Sequence, residues 1–170
     1  GGSSWTQTSL NAGQFSMDFI AINPARPSQV VAGSSGVLGY LQSVDGGTSW
    51  SIISTSAACG GLNGIAFAPS GSTIYLASQG GVCRSSDGGT TWSLAGAGGL
   101  AASAILIDPS DPATIYAGTT PDLDSGAGGV FVSTDAGQSF ASLGAGFSPS
   151  SVAALTAVGE EEHEAEDHEG

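Results

Sequence analysis

Ser85-Ser86-Asp87-Gly88-Gly89-Thr90-Thr91-Trp92 is the stretch on which the reading of this chain turns. Its pattern, S-x-D-G-G-x-T-W, recurs at Ser43-Val44-Asp45-Gly46-Gly47-Thr48-Ser49-Trp50 and, more loosely, at Ser133-Thr134-Asp135-Ala136-Gly137-Gln138-Ser139-Phe140. The chain opens on what reads as the tail of a fourth copy, Gly1-Gly2-Ser3-Ser4-Trp5. The closing aromatics fall at 5, 50, 92 and 140, spacings of 45, 42 and 48 residues. A period in that range marks a repeat architecture. Each octapeptide has the chemistry of a tight turn. The aspartate accepts bonds from backbone N–H groups a few residues on, and the glycines supply positive φ at little steric cost. The aromatic offers a large face to bury under a neighbouring element.

Outward from each turn, the flanks read as four short strands. Strand A is Phe19–Ile22, Gly64–Phe67 and Ala104–Ile107; strand B is Val30–Gly33, Ile74–Ala77 and Ile115–Gly118. Strand C is Leu38–Ser43, Gly81–Ser85 and Gly129–Ser133; strand D begins at the aromatic, Trp50–Ile53, Trp92–Ala95 and Phe140–Leu143. β-Branched and aromatic residues dominate these runs, and Gly, Pro, Asn, Asp and Ser separate them. No useful helical periodicity intervenes. The fold class expected is all-β, with four antiparallel strands per repeat, and the octapeptide is the C–D turn. Repeats of this size and make-up describe blades of a β-propeller.

The octapeptides resemble Asp-boxes, the BNR repeats of sialidases. The phrase Asp108-Pro109-Ser110-Asp111-Pro112-Ala113-Thr114-Ile115-Tyr116-Ala117-Gly118-Thr119, followed by Gly129-Val130-Phe131-Val132-Ser133-Thr134-Asp135, resembles repeats of family 74 xyloglucanases. It also resembles those of photosystem II assembly-factor propellers and sortilin-type receptor propellers. The resemblance covers residues 1 to 158 and implies an Asp-box propeller segment. Full blades are expected at 17–54, 62–96 and 102–144, with partial blades at 1–10 and 151–158. Residues 159–170, GEEEHEAEDHEG, read as a solvated acidic tail. Propellers carry four to eight blades, so this count implies a part of a longer propeller or closure through other chains. The remainder of a propeller, or further copies of this chain, are therefore expected partners.

Within the resemblance, the turn residues Asp45, Gly47, Trp50, Asp87, Gly89, Trp92, Asp135, Gly137 and Phe140 are structural. They sit on the face opposite the D–A and B–C loops, where propeller ligands bind. Blade 3 has the longest B–C loop, and its surplus, Pro121 to Gly128, carries Asp122, Asp124 and Ser125. A plain surface loop, a ligand-contacting loop and a partial Ca²⁺ site are the readings of that stretch. Asp18, at the start of strand A in blade 1, is a further candidate. Either it caps a loop, or it faces Asp122 or Asp124 across a glycan as one of two catalytic carboxylates.

Composition excludes several classes. The formal net charge is −13, and Arg26 and Arg84 are the only basic residues besides two histidines in the tail. Phosphate backbones and anionic membranes are bound through clustered Lys and Arg, so neither nucleic acid nor a membrane surface is an expected partner. No apolar run is long enough to insert in a membrane as a helix. The sialidase arginine triad cannot be assembled from two arginines, and with no histidine in the body there is no Ser-His-Asp site. Cys59 and Cys83 read either as one disulfide of an oxidising compartment or as two buried thiols. With a Ser/Thr/Gly-rich body, the disulfide reading suits a secreted or cell-surface protein.

The functional expectation is a non-catalytic module presenting loops to a glycan or protein. The alternatives are a fragment of a xyloglucanase-like glycoside hydrolase and a self-assembling structural subunit. All three tryptophans belong to octapeptide positions, which leaves none in the ligand-face loops for stacking sugars.

Overall fold

The computed structural model describes residues 3–4, 17–35, 37–96, 99, 101–120, 128–144 and 152–156. Among these there is no helix, and twelve strands form three four-stranded antiparallel sheets. Blade 1 holds β1 (Phe19–Ile22), β2 (Val30–Gly33), β3 (Tyr40–Ser43) and β4 (Ser51–Ile53). Blade 2 holds β5 (Leu62–Phe67), β6 (Ile74–Ser78), β7 (Gly81–Ser85) and β8 (Ser93–Leu94). Blade 3 holds β9 (Ala102–Ile107), β10 (Ile115–Thr119), β11 (Gly129–Ser133) and β12 (Ala141–Ser142). In each sheet the strands lie in chain order. The first strands touch from blade to blade, β1 on β5 and β5 on β9, so they converge on one axis while the fourth strands form the rim.

The octapeptides make the turns expected of them. In blade 2 the Ser85 hydroxyl donates to Asp87 Oδ1 (2.7 Å) and accepts from Gly89 N (2.9 Å). The Asp87 carboxylate then accepts from Thr91 N (2.9 Å) and the Thr91 hydroxyl (2.6 Å). Blade 1 repeats the set with Ser43, Asp45, Gly47 and Ser49, and blade 3 with Ser133, Asp135, Gly137 and Ser139. One further bond recurs: Gly46 N donates to Ser28 O, Gly88 N to Ser72 O and Ala136 N to Ala113 O, each at 2.9 Å. It ties every C–D turn to the A–B turn of its own blade, placing both on one face of the molecule.

Burial is concentrated between blades, because a sheet with two apolar faces must cover both. Val31 and Tyr40 of blade 1 pack with Leu62, Leu76 and Cys83 of blade 2 and with Cys59 of the connecting loop. Tyr75, Ala77 and Val82 of blade 2 pack with Ala102, Ile107, Ile115 and Ala117 of blade 3. The octapeptide aromatics close these joints. Trp92 leans on Tyr40 of the preceding blade, ring centroids 6.2 Å apart at 82°, an edge-to-face pair. Phe140 packs on the cluster around Tyr75.

Several strand limits differ from the sequence reading, among them the ends of β6 and β10, one residue later than expected, and of β8 and β12, one residue earlier. The fourth strands begin one residue after the aromatic, because Trp50 Nε1 and Trp92 Nε1 turn back to Gly47 O and Gly89 O (3.0 Å each) before pairing starts. β3 begins at Tyr40 rather than Leu38, since Gly39 sits at φ +122° and breaks the extended run. β5 and β9 begin two residues earlier than expected, past register shifts that a strict alternation does not predict. Residues 152–156 form no strand; Val152 lies over Gly118 of β10, its carbonyl accepting from Ser103 Oγ (2.5 Å).

Candidate functional site: the loop face

With the A–B and C–D turns on one face, the B–C and D–A connections share the other. Loop-to-loop backbone bonds build this second face. Leu62 N donates to Val37 O (3.1 Å), Gln79 N to Gly61 O (2.8 Å), Gly80 N to Cys59 O (2.9 Å) and Thr120 N to Ala101 O (3.0 Å). Inside the loops, Ser78 Oγ donates to Gly81 O (2.8 Å), and Thr119 Oγ1 accepts from Gly129 N (3.0 Å). Asn63 Nδ2 reaches from blade 2 to Ala102 O of blade 3 (2.7 Å). The loops are thus fixed by their own main chain; the Ser78 and Thr119 hydroxyls are spent inside them, and Met17, Val37 and Leu38 are exposed beside the blade 1 loop.

A disulfide fastens the first of these loops. Cys59, in the connection between blades 1 and 2, is bonded to Cys83 of β7, with S–S 2.09 Å and Cα–Cα 5.9 Å. Both cysteines are fully buried. The sequence left a disulfide and two thiols open; the pair is a disulfide.

Asp18 is the sole carboxylate on the loop face among the described residues. Its Oδ2 accepts from Ser35 N (2.6 Å), while its own N–H donates to Gly33 O (2.8 Å). It therefore ties the start of blade 1 to its B–C loop, the capping role. Asp122, Asp124 and Ser125, the other ligand-loop candidates and the weak Ca²⁺ site, lie outside the described residues. So do the strand expected within 1–10 beyond Ser4 and the acidic tail. A facing pair of acids is not assembled from the described residues.

The remaining acids serve turns on the opposite face. The Ser49 hydroxyl, then its N–H, hold Asp45 down to a pKa of about 2. Thr91 does the same for Asp87, and Ser139 for Asp135, each likewise to about 2. Asp108 is lowered by Ser110 in the A–B turn of blade 3. A carboxylate gripped by several donors is stabilised as the anion and is a poor proton donor near neutrality.

Asn23 is a residue whose importance the sequence reading missed. It is fully buried at the A–B turn of blade 1. Its amide donates to Gln29 Oε1 (2.6 Å) and to Gly71 O in the matching turn of blade 2 (3.0 Å). Its Oδ1 accepts from Ala25 N (2.9 Å) and Arg26 N (3.2 Å). Asn-Pro signals a turn, but a partner 48 positions away leaves no local trace.

Three sheets in chain order, first strands inward and joints between their faces, define the class: the chain is a segment of a β-propeller. No family model matches it, and no curated protein does. Solved propellers do. An ancestral GH74 enzyme is 21% identical, with a TM-score of 0.62 over 75% of this chain and 18% of its own. The GH74 xyloglucanase from Xanthomonas campestris is 28% identical, with a TM-score of 0.50 over 72% of this chain and 18% of its own. A chain of the nidogen–laminin complex is 18% identical, with a TM-score of 0.55 over 72% of this chain and 45% of its own. This chain spans less than a fifth of the length of either GH74 enzyme.

Proposed function

We propose that this is an extracellular Asp-box propeller segment whose loop face binds an uncharged, hydrogen-bonding ligand, a glycan or a protein surface, without transforming it. The observation that carries the reading is the loop face itself. Its loops are braced by main-chain bonds and a disulfide, and Asp18, its one described carboxylate, is engaged by Ser35. Braced loops lower the ordering cost of binding. A disulfide between buried cysteines fits an oxidising compartment. The likeness to a protein crystallised in the nidogen–laminin complex supports the fold of such a module, and protein binding comes to this chain by analogy alone.

The test is binding measured by NMR line broadening or calorimetry, against xyloglucan oligosaccharides and against extracellular-matrix protein fragments, with reducing-sugar release followed in parallel. Binding in either series without sugar release is expected. Binding in neither would end the reading.

The likeness to a xyloglucanase favours a second reading, a segment of a GH74-like hydrolase in which Asp18 works with Asp122 or Asp124. It requires sugar release by the segment within its whole propeller, abolished by Asp18→Asn. A pH profile unaltered by Asp18→Asn would leave Asp18 as a loop cap.

A further inference from the structure

The joint between blades 2 and 3 leaves a pocket at its rim. Cross-strand pairing sets Ala66, Tyr75, Arg84 and Ser93 in one row on the face of blade 2 that meets blade 3. The inner part of the row is covered: Tyr75 is buried, and its hydroxyl donates to Ala136 O of the blade 3 turn (2.9 Å). Further out, Arg84 and Ser93 line a cavity of about 220 Å³ whose facing wall includes Gly137 and Gln138 of that turn. A bond from Gly96 N to Gly137 O (3.0 Å) fixes the two walls to each other. Ser93 and Gln138 are exposed, so the cavity opens to solvent.

Arg84 is held by nothing on its own chain. Its Nε is buried without a hydrogen bond, and no ion pair engages its guanidinium among the described residues. The acid of the facing turn, Asp135, is spent on Ser133 and Ser139. A half-buried guanidinium with an unfilled donor is costly to keep. The fold does not demand it, since Gln42 holds the same place in blade 1 and Val132 in blade 3. It is also one of only two arginines in a chain without lysine. Two more groups of the pocket are unspent among the described residues. The Ser93 hydroxyl makes no bond, and Gln138 uses its Nε2 on Asp135 O (3.1 Å), which leaves Oε1.

We propose that this pocket holds the carboxylate of a hexuronate, an acidic sugar of a glycan chain, with Arg84 as its anchor. A guanidinium meets a carboxylate through two parallel N–H bonds, and the unfilled Nε–H supplies one of them. Ser93 Oγ and Gln138 Oε1 then take ring hydroxyls. An aspartate or glutamate side chain of a protein brings its carboxylate on an apolar stem and leaves both of those groups unused. The volume lies below the range of about 300–1,000 Å³ typical for drug-sized ligands and suits a single ring. A net charge of −13 repels dense polyanions, so the acid is an isolated one in an otherwise neutral glycan. The site stands at the rim, apart from the loop face, and does not rest on the binding proposed there.

The test is NMR of the chain, reading the Nε–H signals of its two arginines during titration with sodium glucuronate. The Arg84 signal is expected to shift and saturate with a dissociation constant on the order of 1 mM, while Arg26, exposed in an A–B turn, stays still. Glucose should move neither. Arg84→Gln, which installs the residue blade 1 carries at this place, should abolish the response to glucuronate at the Gly137 amide with near-UV circular dichroism unchanged. Should that variant misfold, Ser93→Ala at an exposed position should weaken binding by about threefold. An unmoved Arg84 signal overturns the proposal. Parallel shifts of Arg84 and Arg26 overturn it too, since they reduce the effect to ionic strength. N-Acetylglutamate amide binding as tightly as glucuronate overturns it in favour of an acidic protein side chain.

Discussion

At the scale of single residues, the two glycines of the turn have separable jobs. Gly88 (φ +73°) has open space where a Cβ would lie, while Gly89 (φ +95°) has the Tyr40 hydroxyl there. The third turn shows the difference, because Ala136 stands at the first position with φ 56°, yet Gly137 is kept at the second. Gly88→Ala should cost only the left-handed conformation, about 1 kcal/mol. Gly89→Ala adds a steric conflict, for about 3 kcal/mol in all. Urea unfolding of the double-mutant cycle with Tyr40→Phe checks the cause: removing the hydroxyl should recover on the order of 1 kcal/mol in Gly89→Ala and nothing in Gly88→Ala. Asn23 answers to the same measurement. Asn23→Ala leaves Gly71 O, Gln29 Oε1 and the Ala25 N–H without this partner, while Arg26 N–H keeps the Asn23 carbonyl. It should lower stability by about 2 kcal/mol, more than an exposed turn residue would.

At the scale of elements, the sequence and the structure agree where local chemistry decides and part where distant packing does. Of the six central strands, Val30–Gly33, Gly81–Ser85 and Gly129–Ser133 lie at the limits their composition suggests, whereas Ile74–Ser78 and Ile115–Thr119 run one residue further and the third strand of blade 1 starts only at Tyr40. The fourth strands shrink to Ser93–Leu94 and Ala141–Ser142 because their aromatics serve the neighbouring blade before serving their own sheet. Periodicity along one blade carries no record of that second duty. The candidate site was legible only as a place: topology assigns the loops to one face, but the partners of Asp18 and Asn63 are set by where other loops pass. The Cys59–Cys83 bond is likewise a matter of geometry that spacing left undecided. It closes a 24-residue separation between the connecting loop and β7. Its replacement by paired alanines should cost about 3 kcal/mol. Urea midpoints with and without reductant should differ for the wild type and coincide for the double alanine variant. A wild-type midpoint insensitive to reductant under unfolding conditions would show the cross-link contributing nothing.

At the scale of the whole molecule, three equivalent carboxylates make stability depend on pH with a fixed sign. Asp45, Asp87 and Asp135 titrate at about 2 in the folded chain, against about 4 when unfolded. The folded state therefore holds fewer protons between those values, so stability is fully present above pH 4 and falls as pH drops towards 2. Asp108 is lowered too and acts in the same direction. At the alkaline end, burial raises Tyr40 to about 12, so stability should fall again as pH rises above 10. Thermal midpoints should thus form a plateau with a steep acid limb. Replacing all three turn aspartates by Asn should lower the plateau and flatten that limb. Blade 2 shares a buried cluster with each neighbour, so near-UV and far-UV circular dichroism should trace a single acid transition. Two resolved steps would mean that the blades unzip one at a time, as in an open solenoid, and that the joints are weaker than their burial implies.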